Sequence, residues 1–101
     1  MVTMEISVHP VGTGSASLSD YVADVIQVAK QRGVKYEITG MSTNLEGDLD
    51  TLFDIAREMH KASFKRGAPR VFTLLKIDDR RDKELTLEYK RRTAVSKVGD
   101  A

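Results

Sequence analysis

The order of hydrophobic periodicities along the chain predicts an α+β sandwich built as β-α-β-β-α-β, with an additional C-terminal helix. Three observations carry that prediction. Several short segments alternate apolar and polar residues, as strands with one buried face do. Between them lie longer segments whose apolar residues recur at helical spacing. The length of 101 residues suffices for one hydrophobic core but not for two domains.

The first strand is predicted from Met1 to Val8, where Val2, Met4, Ile6 and Val8 alternate with Thr3, Glu5 and Ser7, and Pro10 is expected to end it. Glu5 sits inside this stretch and no basic region precedes it, so it does not read as a signal peptide. A loop with Gly12 and Gly14 follows, able to bring backbone N–H groups close to something. Ser17 and Asp20 resemble a capping box, and Leu18, Val22, Val25, Ile26 and Ala29 then mark an amphipathic helix that Gly33 stops.

Val34, Tyr36 and Ile38 give a second strand, and a third, shorter one is expected over Ser42 to Glu46. Asp48 is placed to cap the next helix, with Leu49, Leu52, Phe53, Ala56, Met59 and His60 as its buried stripe and Gly67 and Pro69 closing it. Arg70 to Ile77 is the clearest later strand, and it carries bulky apolar groups on both faces. A two-layer domain of this size has helices for only one face, so the other is expected to meet a second sheet or another subunit. After the charged bend Asp78 to Asp82, a last helix is expected from about Lys83 to Val98, with a broken apolar stripe of Leu87, Ala94, Val95 and Val98. The first four strands and two helices match the split βαβ arrangement, so residues 1–101 read as a single ferredoxin-like domain.

Composition bounds the function. A chain 41% hydrophobic and 31% charged is ordinary for a folded protein, and the lack of cysteine removes thiolate nucleophiles, thiolate metal sites and disulfides. No run of apolar residues is long enough to span a bilayer, so no membrane role and a cytoplasmic location are expected. Residues 1–50 hold three basic and seven acidic residues, against thirteen and eight in residues 51–101. That polarity suits an encounter with an anion or another subunit, but lacks the concentrated basic stripe of a nucleic-acid surface. Such a surface would require Lys90-Arg91-Arg92 to join Lys61, Lys65 and Arg66.

Signals for catalysis are mostly missing. There is no Walker sequence, no dinucleotide fingerprint and no paired zinc histidines. His9 reads as a surface or interface residue, and His60 as a hydrogen-bonded residue at the core edge. Glu46, at the end of a short strand beside Gly47, is the carboxylate best placed to accept hydrogen bonds from an amino group or to balance a cationic ring. It could also act as a base, although no nucleophile, metal set or electrophilic partner completes an enzyme. The plainer reading sets it against the start of the helix that follows it or against Arg80 across a subunit boundary. The mixed cluster Asp78-Asp79-Arg80-Arg81-Asp82 reads as a solvated turn or an intersubunit ion network, since its arginines oppose a cation site. Most aromatic residues fall on periodic positions and are expected in the core, with Tyr36 or Phe72 the better ring for stacking on a ligand.

Taken in order, Pro10-Val11-Gly12-Thr13-Gly14, Tyr21-Val22, Gly33 to Thr39, Met41 to Gly47, Gly67 to Val71 and Ile77 to Asp82 resemble the small thiamine-binding protein family over nearly the whole chain. The resemblance implies a ferredoxin-like fold, association through the sheets into dimers or tetramers, and binding of thiamine or a related hydroxymethylpyrimidine without catalysis or a required cofactor. The family's methionine-glycine-threonine run appears here as Met41-Ser42-Thr43. A neutral aminopyrimidine joined to a cationic thiazolium suits a hydroxyl pair, a carboxylate and an apolar or aromatic wall. On that logic Thr43 and Glu46 are the first candidates for recognition, with Ser7, Thr39 and Tyr36 after them. Phe72, Leu74 and Arg80 are the interface candidates. Arg80 stays outside the ligand set because a guanidinium disfavours a cation.

Overall fold

The computed structural model describes residues 1–99. In chain order the elements are β1 (Val2–Val11), α1 (Ser19–Arg32), β2 (Lys35–Ile38), β3 (Thr43–Gly47), α2 (Leu49–Lys65), β4 (Arg70–Asp78) and α3 (Leu87–Val98). They form one four-stranded sheet in the order β2-β3-β1-β4, antiparallel throughout. The architecture is the predicted ferredoxin-like sandwich with an added C-terminal helix. No described helix is long and apolar enough to cross a membrane.

The core lies between the sheet and the pair α1 and α2. Met4, Ile6 and Leu45 supply its strand side, while Leu52, Ile55 and Met59 supply its helix side, each almost wholly excluded from solvent. Asp48 caps α2 as expected, its carboxylate accepting the Thr51 N–H at 3.0 Å. Gly33 ends α1 in the left-handed region at φ 70°, where a side chain would be strained.

Several expectations are corrected. Pro10 does not end β1. The strand runs on to Val11, and Pro10 pairs with Val71. β3 pairs with β1 only from Val2 to Ile6, so beyond that point one side of β1 is an edge, where a residue without an N–H costs no ladder bond. Ser17 is not the α1 cap. Leu18 holds that position with no side-chain capping bond, and the Ser17 hydroxyl lies 3.4 Å from that of Ser19. β3 starts one residue later and reaches Gly47, while α3 starts at Leu87, where Thr86 caps it by accepting the Tyr89 N–H at 3.0 Å.

The aromatic residues are not the core. Phe53, Phe64, Phe72 and Tyr89 are exposed and Tyr21 and Tyr36 half-buried. The short distance between two helices and a sheet is filled by aliphatic and methionine side chains. The α2 stripe turns accordingly, burying Ile55 and Ser63 along with Leu52, Ala56 and Met59 and leaving Phe53 outside. His60 stands at the core edge as expected, its Nδ1 2.6 Å from the Thr73 hydroxyl of β4.

Candidate functional site

A strand's side chains alternate between faces, so residues an odd number apart are separated by the sheet itself. The pairing register gives each candidate its face. Thr43 pairs with Ile6 and Ile38 on the helix-covered side, whereas Glu46 pairs with Thr3 and Lys35 on the open side. The two first candidates are both buried, at 5% exposure each, yet they do not meet.

Thr43 belongs to a cleft of about 150 Å³ where α1 passes the end of the sheet beside the β2–β3 turn. Its walls are apolar: Ile6 and Val8 of β1, Val22 and Ile26 of α1, and Ile38 and Met41 at the turn. Ser7 and His9 border it along β1, although their places in the β1–β4 register put their side chains with Leu74 and Phe72 on the other face. Among the described residues no aspartate, glutamate, lysine or arginine lines the cleft, and Thr43 is its buried polar side chain. At the mouth, Met41 and Ile38 stand 87% and 60% exposed, an apolar rim with no partner to explain it within the domain.

Thr39 shapes that rim. Its hydroxyl accepts the Ser42 N–H at 3.0 Å and donates to the Ser42 carbonyl at 2.9 Å, which closes the turn and fixes Gly40 and Met41 above the cleft. The Ser42 hydroxyl in turn donates to the Glu5 carboxylate at 3.1 Å. Thr39 and Thr43 thus share one site, with Thr39 holding the rim and Thr43 facing the interior. Tyr36 lies outside the cleft lining and packs half-buried against the core.

Glu46 lies away from the cleft. On the open face its Oε1 accepts the backbone N–H of Leu87 at 2.7 Å, and its Oε2 lies 3.7 Å from the Lys35 ammonium. A carboxylate at the first residue of α3 satisfies a donor that the helix cannot satisfy itself and favours the positive end of its dipole. This contact matters because α3 buries no residue of its own. The Lys90–Asp78 pair and the bond from the Met1 ammonium to Glu84 at 3.2 Å, just ahead of α3, tie this part of the chain to the domain as well.

The charged groups elsewhere are largely matched. Arg80 grips Asp82 and Arg81 grips Asp79 through paired hydrogen bonds of 2.6 to 3.0 Å, and these bonds hold both carboxyls below the usual aspartate range. Arg66 holds Asp24 through paired hydrogen bonds in the same way, Lys90 donates to Asp78, and Arg92 stands 3.9 Å from Glu88 as an ion pair. Within the two basic runs, Arg66, Lys90 and Arg92 thus each have an acidic partner. No cluster of histidine and carboxylate side chains suited to a metal occurs among the described residues.

The part of the site hardest to find in the sequence was the α1 wall. Leu18, Val22 and Ile26 recur every fourth residue and border the cleft, a signal legible as amphipathicity but not as a pocket. The family described as thiamine-binding protein matches residues 4–95 of the chain. The UPF0045 protein of Methanothermobacter thermautotrophicus is 46% identical over 99 residues, covering 97% of this chain and all of that one. A solved structure of a hypothetical protein from Methanocaldococcus jannaschii superposes with a TM-score of 0.81 at 40% identity, covering 99% of this chain and 97% of the other. A further solved structure, from Thermotoga maritima, has a TM-score of 0.76 at 26% identity, with 92% and 97% covered. That protein is described as a candidate thiamine biosynthesis/salvage protein.

Proposed function

The chain belongs to the thiamine-binding protein family, and from that premise we propose that it reversibly binds thiamine or a hydroxymethylpyrimidine through the cleft between α1 and the sheet. The observation that carries this reading is the pairing of size with charge. Apolar cavities of about 150 Å³ accept a single six-membered ring. This cleft has that volume and no charged lining. A neutral aminopyrimidine fits such a wall, with Thr43 offering a hydroxyl from the interior. The cationic thiazolium would remain at the mouth beside Met41, because burying an unpaired charge is costly. Storage, delivery or sensing is the consequence of binding without chemistry.

The same reading includes self-association. Phe72 and Leu74 are 53% and 62% exposed on β4, more apolar surface than one strand of a monomer ordinarily shows water.

Isothermal titration with thiamine, thiamine phosphate and the isolated pyrimidine tests the ligand. Saturable heat is expected for thiamine and for the pyrimidine. Thr43→Val should weaken both about tenfold, the worth of one hydrogen bond, and Glu46→Gln should leave affinity unchanged. Absence of saturable heat with all three compounds would sink the proposal. Binding that Thr43→Val leaves untouched would move it out of this cleft.

A further inference from the structure

The chain holds four methionines and no cysteine, so thioethers are its only oxidisable sulfur groups. Their surroundings differ sharply. Met4 and Met59 are fully buried in the core, where an oxidant reaches them only if the fold opens. Met1 is 57% exposed and belongs to the surface around Asp48 and Arg80, away from the cleft. Met41 is 87% exposed, more than any other large hydrophobic side chain among the described residues, and it borders the cleft.

Local structure fixes where that thioether stands. The Thr39 hydroxyl accepts the N–H of Met41 at 3.4 Å as well as that of Ser42, so the backbone of the turn is held while the side chain meets solvent. Gly40 beside it carries no side chain to shield the sulfur.

We infer that Met41 is a peroxide-reactive modification site, and that its sulfoxide turns the cleft from one that accepts a neutral ring into one that accepts it poorly. The effect on binding rests on the ligand reading above, whereas the modification site does not. The oxidant is hydrogen peroxide or an organic hydroperoxide. The sulfur lone pair attacks the terminal peroxide oxygen, and an S–O bond forms as the O–O bond breaks. The transferred oxygen gives its proton to the departing one, which leaves as water or an alcohol. Sulfur loses two electrons and the peroxide gains them. A dithiol-dependent sulfoxide reductase reverses the change, its thiols becoming a disulfide while the oxygen leaves as water.

The consequence for the cleft follows from its lining. A thioether is flexible and apolar and extends the wall made by Leu18, Val22 and Ile38. A sulfoxide is polar, and its oxygen seeks hydrogen-bond donors. The two hydroxyls of the turn are already committed, that of Thr39 donating to the Ser42 carbonyl and that of Ser42 to Glu5. A ring seated under the oxidised rim would therefore strip water from a polar group without replacing its hydrogen bonds, which is unfavourable.

Brief treatment of the folded protein with dilute hydrogen peroxide, followed by peptide mass mapping, tests the site. One added oxygen is expected on the Met41 peptide before those of Met4 and Met59, and faster than on that of Met1. Titration with the isolated pyrimidine tests the consequence. After oxidation the dissociation constant should rise about tenfold, the cost of one polar group buried without a partner. A methionine sulfoxide reductase should return it to its starting value. Met41→Leu, which keeps Met1 as an exposed thioether, should show the same affinity before and after peroxide, whatever that affinity is. A Met41 peptide that stays unmodified, or that oxidises no faster than those of Met4 and Met59, would overturn the modification site. Oxidised Met41 with unchanged affinity, or a loss that Met41→Leu shows as well, would overturn the switch. A wild type that binds neither the pyrimidine nor thiamine before treatment would overturn the ligand reading and the switch with it, while the map of oxidised peptides still decides the modification site alone.

Discussion

The two faces of the sheet share the same strands and live in different surroundings. On one, Met4, Ile6 and Leu45 lie under α1 and α2 with at most 1% of their surface exposed. On the other, Phe72 and Leu74 are 53% and 62% exposed, and no residue of α3 is fully buried. The buried face is held by close packing of aliphatic groups. Polar contacts tie α3 to the open face, with Glu46 as their buried member. Stability therefore belongs to one face, and surface available for encounters belongs to the other.

Large-to-small substitutions should expose that contrast most strongly. Leu52→Ala empties a fully buried position and should cost about 2–5 kcal/mol in urea unfolding. Leu74→Ala, on the open face, should cost about 0.5 kcal/mol or less to a single folded chain, when measured at a dilution at which copies are separated. Comparable losses at the two positions would break the comparison.

Glu46 sharpens it, a buried carboxylate on the open face. Glu46→Ala leaves the Leu87 N–H without its acceptor and should cost about 1–3 kcal/mol. Hydrogen exchange should show α3 amides losing protection while those of α2 keep theirs. Unchanged exchange in α3 would mean that the helix is held by something other than this carboxylate.

Ser63 is the converse, a polar group on the apolar side. Its buried hydroxyl has no hydrogen-bond partner among the described residues, so Ser63→Ala should stabilise the fold by about 1 kcal/mol. A loss of stability would show that the hydroxyl is satisfied in solution.

The smallest effect is expected outside both faces, where α1 meets the end of α2. Hydrogen bonds from Arg66, and then its charge, hold the Asp24 carboxyl below its ordinary value of 3.8. A native pKa below the unfolded one favours folding fully above about pH 3.8, and that contribution disappears as pH falls through the lowered native value. The pair is partly solvent-exposed, so its share is small. Acid titration of stability for wild type and Asp24→Asn should show the full difference above about pH 3.8 and curves that converge as pH falls through the lowered native value.

Period and punctuation alone determined the element order, the ferredoxin-like class, the Asp48 cap and the Gly33 stop, because each depends on residues within a few positions of one another. The strand-end errors have a different origin. Pro10 is tolerated only because β3 stops pairing with β1 before reaching it, which is a fact about a strand more than thirty residues away. Leu18, not Ser17, holds the capping position of α1, and the face that α2 turns to the sheet leaves Phe53 outside.

The candidate site divides along the same line. Thr43 and Glu46 were legible as polar residues on a short strand, and their odd spacing already implied opposite faces. What the sequence could not contain is what each face meets: α1 and the β2–β3 turn around Thr43, and the first residue of α3 against Glu46. Local chemistry sets where a strand or helix can form and which way its side chains alternate. Only packing between distant segments decides which alternate becomes a wall, an anchor or an open surface, because burial is a property of two elements together and never of one.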